Sequence, residues 1–440
     1  MGKDIIKPSI LAGFMELIPS DQILFNNMLD TIRKNYEKFG FLPIDTPVIE
    51  KAEILLAKGG GETEKQIYRF QKGDTDLALR FDLTVPLARY VAQHYSELTF
   101  PFRRYHIGKV YRGEKAQRGR FREFYQCDID IIGNGSLDIK NDAEIPGVIY
   151  STFKDLDFGE FTIKINNRKV LNGFFQSLGI ENPVDVLRSI DKLEKIGKMA
   201  VMEELESIGL DSTVIDKIFH FINIKGSNKE IIANLKKLDI ENELFKKGLE
   251  ELEAVNHYVG IFGVPESNFV IDLTIARGLD YYTGTVYETF LNDYPQIGSI
   301  CSGGRYDDLA GYYTKQKLPG VGISIGLTRL FYQLKEANLI KSQDQSLSKV
   351  LVIPMEDCLD KAIETAAKLR ENDINTQVYL EEAKIGKKFS FADKLDIPYV
   401  VVIGPEEVNN NTYSLRNMKT GEQIVVPLEE LLNIINKNSK

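Results

Sequence analysis

The sequence predicts an α+β chain of more than one domain, and three observations carry that expectation. The chain has 440 residues, and an ordinary domain takes about 150. Strand-patterned segments fall in two blocks, one before residue 167 and one after residue 268, with a Lys-, Glu-, Leu- and Ile-rich tract of helical periodicity between them. Beyond a polar stretch at 342–348, strands and helices alternate regularly to near the end, which is the pattern of a compact α/β domain.

Composition narrows the class. A charged fraction of 27% and a hydrophobic fraction of 43% exclude disordered and fibrous chains. No apolar run approaches the ~18 residues of a membrane span. The first residues lack a signal-peptide core, so a cytoplasmic location and no membrane partner are expected. Cys127, Cys301 and Cys358 lie far apart without CxxC spacing, against a disulfide framework and a cysteine-rich zinc site. Four histidines without HExxH argue against a histidine metal site. The net charge of −9 does not exclude nucleic acid, because phosphate contacts depend on local basic surface.

Taken in order, residues 21–39 space Ile23, Leu24, Leu29, Ile32 and Tyr36 as a helix that Gly40 ends. Pro43 and Pro47 keep 41–51 extended. Residues 77–81 read as a strand and 84–94 as a helix with Pro86 in its first turn. Between 105 and 133 the pattern is strand, loop, strand. Alternation on the second strand puts Phe124, Gln126, Asp128 and Asp130 on one face, and Tyr125, Cys127, Ile129 and Ile131 on the other. Residues 161–166 form a strand and 170–178 a helix. A helical insertion occupies 179–255. Strand composition returns at 269–291, and a glycine-spaced strand near 319–326 runs into a helix. The expected domains are therefore 1–178 and 256–338 as two parts of one domain, the 179–255 insertion, and 349–440.

Four segments can build one site. RFDLT puts Asp82 and Thr84 at a strand–helix junction. Arg112 and Glu114 end one strand, with Arg120 and Phe124 on the next. ARGLDYYTG gathers Arg277, Asp280, Tyr281 and Tyr282. GISIGLTR alternates small residues and finishes at Arg329. Arginine forks suit phosphate and carboxylate oxygens. Alternating glycines let a flat ring lie against backbone. These features fit a nucleoside triphosphate and a small polar substrate. The absence of GxxxxGK[ST] excludes a P-loop, and the absence of GxGxxG between strand and helix disfavours dinucleotide binding. The basic segment from Arg103 to Arg122, interleaved with aromatics, reads as strands and a loop gripping an anion.

These motifs resemble those of the class II aminoacyl-tRNA synthetases, and of their histidine-specific family in particular. FLPIDTPVIE is similar to motif 1, VYRGE with RGRFREF to motif 2, and GISIGLTRL to motif 3. RGLDYYTG and GGRYDDL resemble the two histidine signatures. The resemblance spans essentially the whole chain. It implies an antiparallel-sheet catalytic domain with a helical insertion and a C-terminal anticodon-binding domain. It implies ATP-dependent formation of histidyl-adenylate, then transfer of histidine to tRNA(His), by a homodimer working with Mg²⁺. Carried onto this sequence, Arg112 binds the α-phosphate and the substrate carboxylate, and Glu114 lies near the adenine amine. Phe124 stacks on adenine, Arg120 belongs to the ATP site, and Arg329 holds the γ-phosphate. Asp82, Thr84, Gln126, Asp130, Tyr281 and Tyr282 form the histidine pocket, with Arg277 as the cation beside the α-phosphate. Some family members carry Glu where Asp82 and Asp130 stand, and many class II enzymes carry Glu at Thr328. A non-catalytic relative, the synthetase-like regulatory subunit of ATP phosphoribosyltransferase, is the alternative. It typically lacks the C-terminal domain and intact signatures.

Overall fold

The computed structural model describes residues 5–57, 62–115, 118–275, 282–342 and 345–437. They form two compact units, one of the residues up to 15 with 29–340, the other of 16–28 with 341 onward.

Helix Pro19–Lys38 is the first element and ends before Gly40, whose φ of 75° suits a residue without a Cβ. Strand β1 (Leu42–Pro43) follows. Strands β2 (Ile49–Lys51), β3 (Arg69–Lys72) and β4 (Thr75–Leu79) make a small antiparallel sheet. Helix Thr84–Gln93 leads to the long hairpin of β5 (Phe102–Tyr111) and β6 (Glu123–Ile132). After helix Lys140–Leu156 come β7 (Phe161–Asn167) and helix Arg168–Ser177. The expected strand region 269–291 is divided, into β8 (Phe269–Ile271) and β9 (Thr285–Leu291). Strands β10 (Cys301–Tyr306) and β11 (Gly320–Gly326) and helix Leu327–Glu336 complete the unit.

The eight-stranded sheet runs β1-β5-β6-β11-β10-β9-β7-β8. Only the outer pairs β1–β5 and β7–β8 are parallel, so this is the α+β arrangement expected. Cys127, Ile129 and Ile131 of β6 are fully buried on the sheet's apolar face, where the Tyr36 hydroxyl donates to the Cys127 carbonyl at 2.9 Å.

Between Val184 and Ile261 the ordered elements are all helices. Asp211, Ser227 and Asn242 cap three of them through the backbone N–H groups of Val214, Glu230 and Phe245. Helix Glu243–Ile261 closes tightly on helix Arg168–Ser177. A Cβ at Gly173 would stand 2.4 Å from the Phe245 nitrogen, and one at Gly248 2.5 Å from the Val170 nitrogen.

The second unit holds β12 (Val350–Pro354), β13 (Thr376–Val378), β14 (Tyr399–Ile403), β15 (Tyr413–Asn417) and β16 (Gln423–Val426). Their order is β13-β12-β14-β15-β16, parallel across the first three and antiparallel across the hairpin. Separate apolar clusters centred on Val350, Val352 and Val401 and on Leu351, Ile353 and Val400 cover its two faces. Among the described residues no helix is long and apolar enough to cross a membrane.

Candidate active site

Residues paired across antiparallel strands share a face. The register puts Val110 opposite Phe124, Gly108 opposite Gln126, His106 opposite Asp128, and Arg104 opposite Asp130. On the other side of β6, Gly326, Ser324 and Gly322 stand opposite Gln126, Asp128 and Asp130. Gly304 pairs with Gly322, and Tyr306 with Gly320. The polar face away from the core is therefore one continuous floor across four strands.

Glycines shape it. A Cβ at Gly322 would lie 2.3 Å from Asp130 Oδ1, and one at Gly304 2.9 Å from the Tyr282 ring. The backbone must be bare there for the carboxylate and phenol to settle. Around Gly326 nothing lies within 4 Å of such a Cβ, so that end of the strand is open.

At the floor, Asp130 Oδ1 accepts the Tyr306 hydroxyl at 2.8 Å, and Oδ2 is ion-paired with Arg104, which is fully buried. Burial pushes the Asp130 carboxyl up to about 6, against the pull of Arg104. Asp128 rises to about 7 for the same reason, again opposed by Arg104. Gln126 donates to Ser324 Oγ at 2.8 Å, while its Oε1 is buried with no partner among the described residues. Asp82 Oδ1 accepts the Val85 N–H at 2.9 Å at the start of the helix that Thr84 opens. Burial raises the Asp82 carboxyl, opposed by that N–H and by Arg112. Tyr282 packs against the apolar cluster that holds Leu87, Ile132 and Tyr306.

At the open end, Arg112 Nε donates to the Phe81 carbonyl at 3.2 Å, and the guanidinium stands 4.4 Å from the Phe81 ring and 5.1 Å from the Phe124 ring. Glu114 and Arg120 pair at 3.4 Å. Arg329 is the third residue of helix Leu327–Glu336, and its Nη2 donates to the Ile297 carbonyl at 2.9 Å. Its neighbour Thr328 accepts the Tyr125 N–H at 2.8 Å, tying that helix to β6. The structure thus brings Asp82, Thr84, Arg112, Phe124, Gln126, Asp130, Tyr282 and Arg329 to one sheet and its flanking helices. Arg277, Asp280 and Tyr281 lie outside the described residues.

The basic segment is not a single anion grip. Arg103 is bound by Glu144, Lys109 by Glu123 and Arg118 by Glu336. Arg122 donates to the Glu114 carbonyl. Acids elsewhere in the chain thus pair with Arg103, Lys109 and Arg118, and Arg104 faces the floor. His106 is structural: its Nε2 lies 2.9 Å from Asp45, and burial beside Arg104 and Arg80 drives its pKa down to about 3, so it is neutral. Arg104, Asp128, Tyr306 and Ser324 are site residues that sequence reasoning did not single out. Tyr306 sits inside GGRYDDL, and strand alternation already puts Asp128 between Gln126 and Asp130. Among the described residues no three His, Cys, Asp or Glu side chains converge to hold a metal ion. Thr328 supplies a hydroxyl where a metal ligand is expected. The described chain thus offers no protein cage for Mg²⁺.

A mostly antiparallel sheet with a glycine-lined polar face, flanked by an arginine after one strand and another on the closing helix, is the arrangement that the motif resemblance to class II aminoacyl-tRNA synthetases implies. Residues 13–330 match the family model of histidyl-tRNA synthetase, and residues 349–438 that of the anticodon binding domain. A curated histidine–tRNA ligase of Clostridium tetani is 68% identical over 99% of both chains. The crystal structure of histidyl-tRNA synthetase from Nostoc sp. PCC 7120 is 43% identical, with a TM-score of 0.92 over 99% of this chain and 100% of that one. A Bacillus halodurans structure described as an ATP phosphoribosyltransferase regulatory subunit/histidyl-tRNA synthetase is 22% identical, with a TM-score of 0.73 over 89% of this chain and 97% of that one. It shares the fold. The chain belongs to the histidyl-tRNA synthetase family.

Proposed function

We propose that the polar face of the large sheet is where histidine is activated, with ATP at its open end and the amino acid over its floor. The overall activity is that of the family, an ATP-dependent histidine–tRNA ligase. The observation that supports this placement most is the single face that carries Arg112 and Phe124 at one end and Gln126, Asp130 and Tyr306 at the other.

On this reading the histidine carboxylate attacks the α-phosphorus of ATP and pyrophosphate leaves. Negative charge grows on the phosphoryl oxygens, and fixed guanidinium groups stabilise it without reorganising. Arg112, held by the Phe81 carbonyl and two rings, is positioned for the α-phosphate and substrate carboxylate. Arg277 is assigned the second cation there. Phe124 stacks on adenine, Glu114 accepts from its amine, Arg120 serves the same site, and Arg329 holds the γ-phosphate. Asp82, Thr84, Gln126, Asp130, Tyr281 and Tyr282 form the histidine pocket. Mg²⁺, when bound with the nucleotide, would neutralise triphosphate charge, and such ions need few protein ligands beside phosphate. Residues 1–178 and 256–338 form the catalytic domain, 179–255 its helical insertion, and 349–440 the domain that meets the tRNA(His) anticodon. The working form is a cytoplasmic homodimer.

Histidine-dependent exchange of pyrophosphate into ATP tests the reading. The wild type exchanges, and Arg112→Ala loses about 10²-fold or more in rate, as removal of one preorganised donor does elsewhere. Exchange independent of histidine, or untouched in Arg112→Ala, would sink it.

A further inference from the structure

We propose that Arg104 is a positioning residue for histidine recognition: it holds Asp130 as an ionised acceptor that reads a ring N–H of the substrate. This rests on the reading of Asp130 as part of the histidine pocket.

Arg104 stands directly opposite Asp130 on β5, so the register itself aims the two side chains at each other. The guanidinium is fully buried, and none of its three nitrogens makes a hydrogen bond among the described residues. Asp130 is the carboxylate ion-paired with it. A carboxylate has about four acceptor sites. The Arg104 ion pair lies at one oxygen and the Tyr306 hydroxyl donates to the other, which leaves acceptor capacity for a ligand. Because Tyr306 gives its proton to Asp130, its own oxygen can only accept. The remaining acceptor capacity of the carboxylate is complementary to an imidazole N–H and unsuited to a ring that lacks one. A site whose buried polar groups would be left unpaired rejects such analogues strongly.

Among the described residues, the charged and titratable groups around Asp130 are Arg104 and His106 on β5, Asp128 beside it on β6, Tyr306 on β10, and Asp82 at the helix start. His106 is neutral, and Asp82 and Asp128 are both acids. Within this set Arg104 is the one group that favours the ionised form by charge. Burial already pushes Asp130 upward. A neutral residue at 104 leaves only the Tyr306 hydrogen bond to oppose that push, so the carboxyl keeps its proton to higher pH and presents a donor where an acceptor is needed. Gly322 completes the arrangement, because any side chain there would displace Asp130 Oδ1.

The test is steady-state pyrophosphate exchange by the full-length protein, with KM for histidine and for ATP measured across pH. Arg104→Met should raise KM for histidine about tenfold or more, leave KM for ATP unchanged, and move the acid limb of kcat/KM for histidine to higher pH. Arg104→Lys should recover part of the loss. Adding Arg104→Met to Asp130→Asn should cost nothing beyond Asp130→Asn alone, since the two act through one carboxylate. If Arg104→Met does not fold, the KM split and pH limb of Arg104→Lys decide the matter. Should Asp130→Asn raise KM for histidine while neither Arg104 variant does, the role of Arg104 is wrong and the pocket assignment stands. If Asp130→Asn leaves KM unchanged, the pocket assignment fails and takes this inference with it.

Discussion

Buried carboxylates set the character of the site at the scale of single residues. Asp128 and Asp130 stand two apart on β6, both almost fully buried, with one guanidinium between them and the opposite strand. Taking charge out of water is costly, and a single cation offsets only part of that for two acids. Asp128 therefore holds a proton in the folded chain up to about pH 7, whereas an unfolded chain releases it near the ordinary value of about 4. Its contribution to stability is fully present below that lower value and is lost as pH rises through the upper one. Asp128→Asn removes this dependence. The variant should be more stable than wild type at pH 8, by on the order of 1–3 kcal/mol, with the difference closing toward pH 4. Denaturant melts of both proteins across that range check it. Alternation along β6 made Gln126, Asp128 and Asp130 legible as one face. The burial of Arg104 was not legible, because a run of basic residues looks the same in sequence whether its members meet water, acids or a pocket.

Helix Lys140–Leu156 shows what decides an element. It carries Pro146 in its interior, and Gly147 follows. Both discourage a helix. Proline has no N–H to give the Asp142 carbonyl, four residues earlier. That carbonyl accepts the Tyr287 hydroxyl at 2.7 Å instead. The Asp142 carboxylate binds Arg305 at 2.7 Å and the Thr285 hydroxyl at 2.6 Å. The helix is thus completed by β9 and β10, which come more than a hundred residues later. Tyr287→Phe leaves a buried carbonyl unsatisfied and should cost about 1–3 kcal/mol, measured by denaturant unfolding. On β11 the argument runs through backbone space. Gly322→Ala would put a methyl 2.3 Å from both Asp130 Oδ1 and the Ile129 carbonyl. Histidine-dependent exchange should fall at least tenfold, and a normal KM for histidine in that variant would contradict the geometry.

For the whole molecule, two separately packed units carry the two family matches. The large sheet is where adenylation is proposed, and the unit with the anticodon-domain match has its own core on both sheet faces. Leu415 is 2% exposed in that second core, so Leu415→Ala should destabilise it by about 2–5 kcal/mol. Heated in steps, this variant should lose tRNA charging while histidine-dependent exchange persists, and simultaneous loss of both would show that activation also depends on that core.

The sequence by itself determined the domain-scale class, most element positions and the chemistry-bearing motifs, because hydrophobic period, proline and glycine placement and motif spacing are local properties of the chain. Only the tertiary structure decided which charges are buried, which arginines are neutralised by distant acids, and how a proline-bearing helix is completed. Those outcomes depend on strand register and on partners far away in sequence, and a local pattern does not encode either.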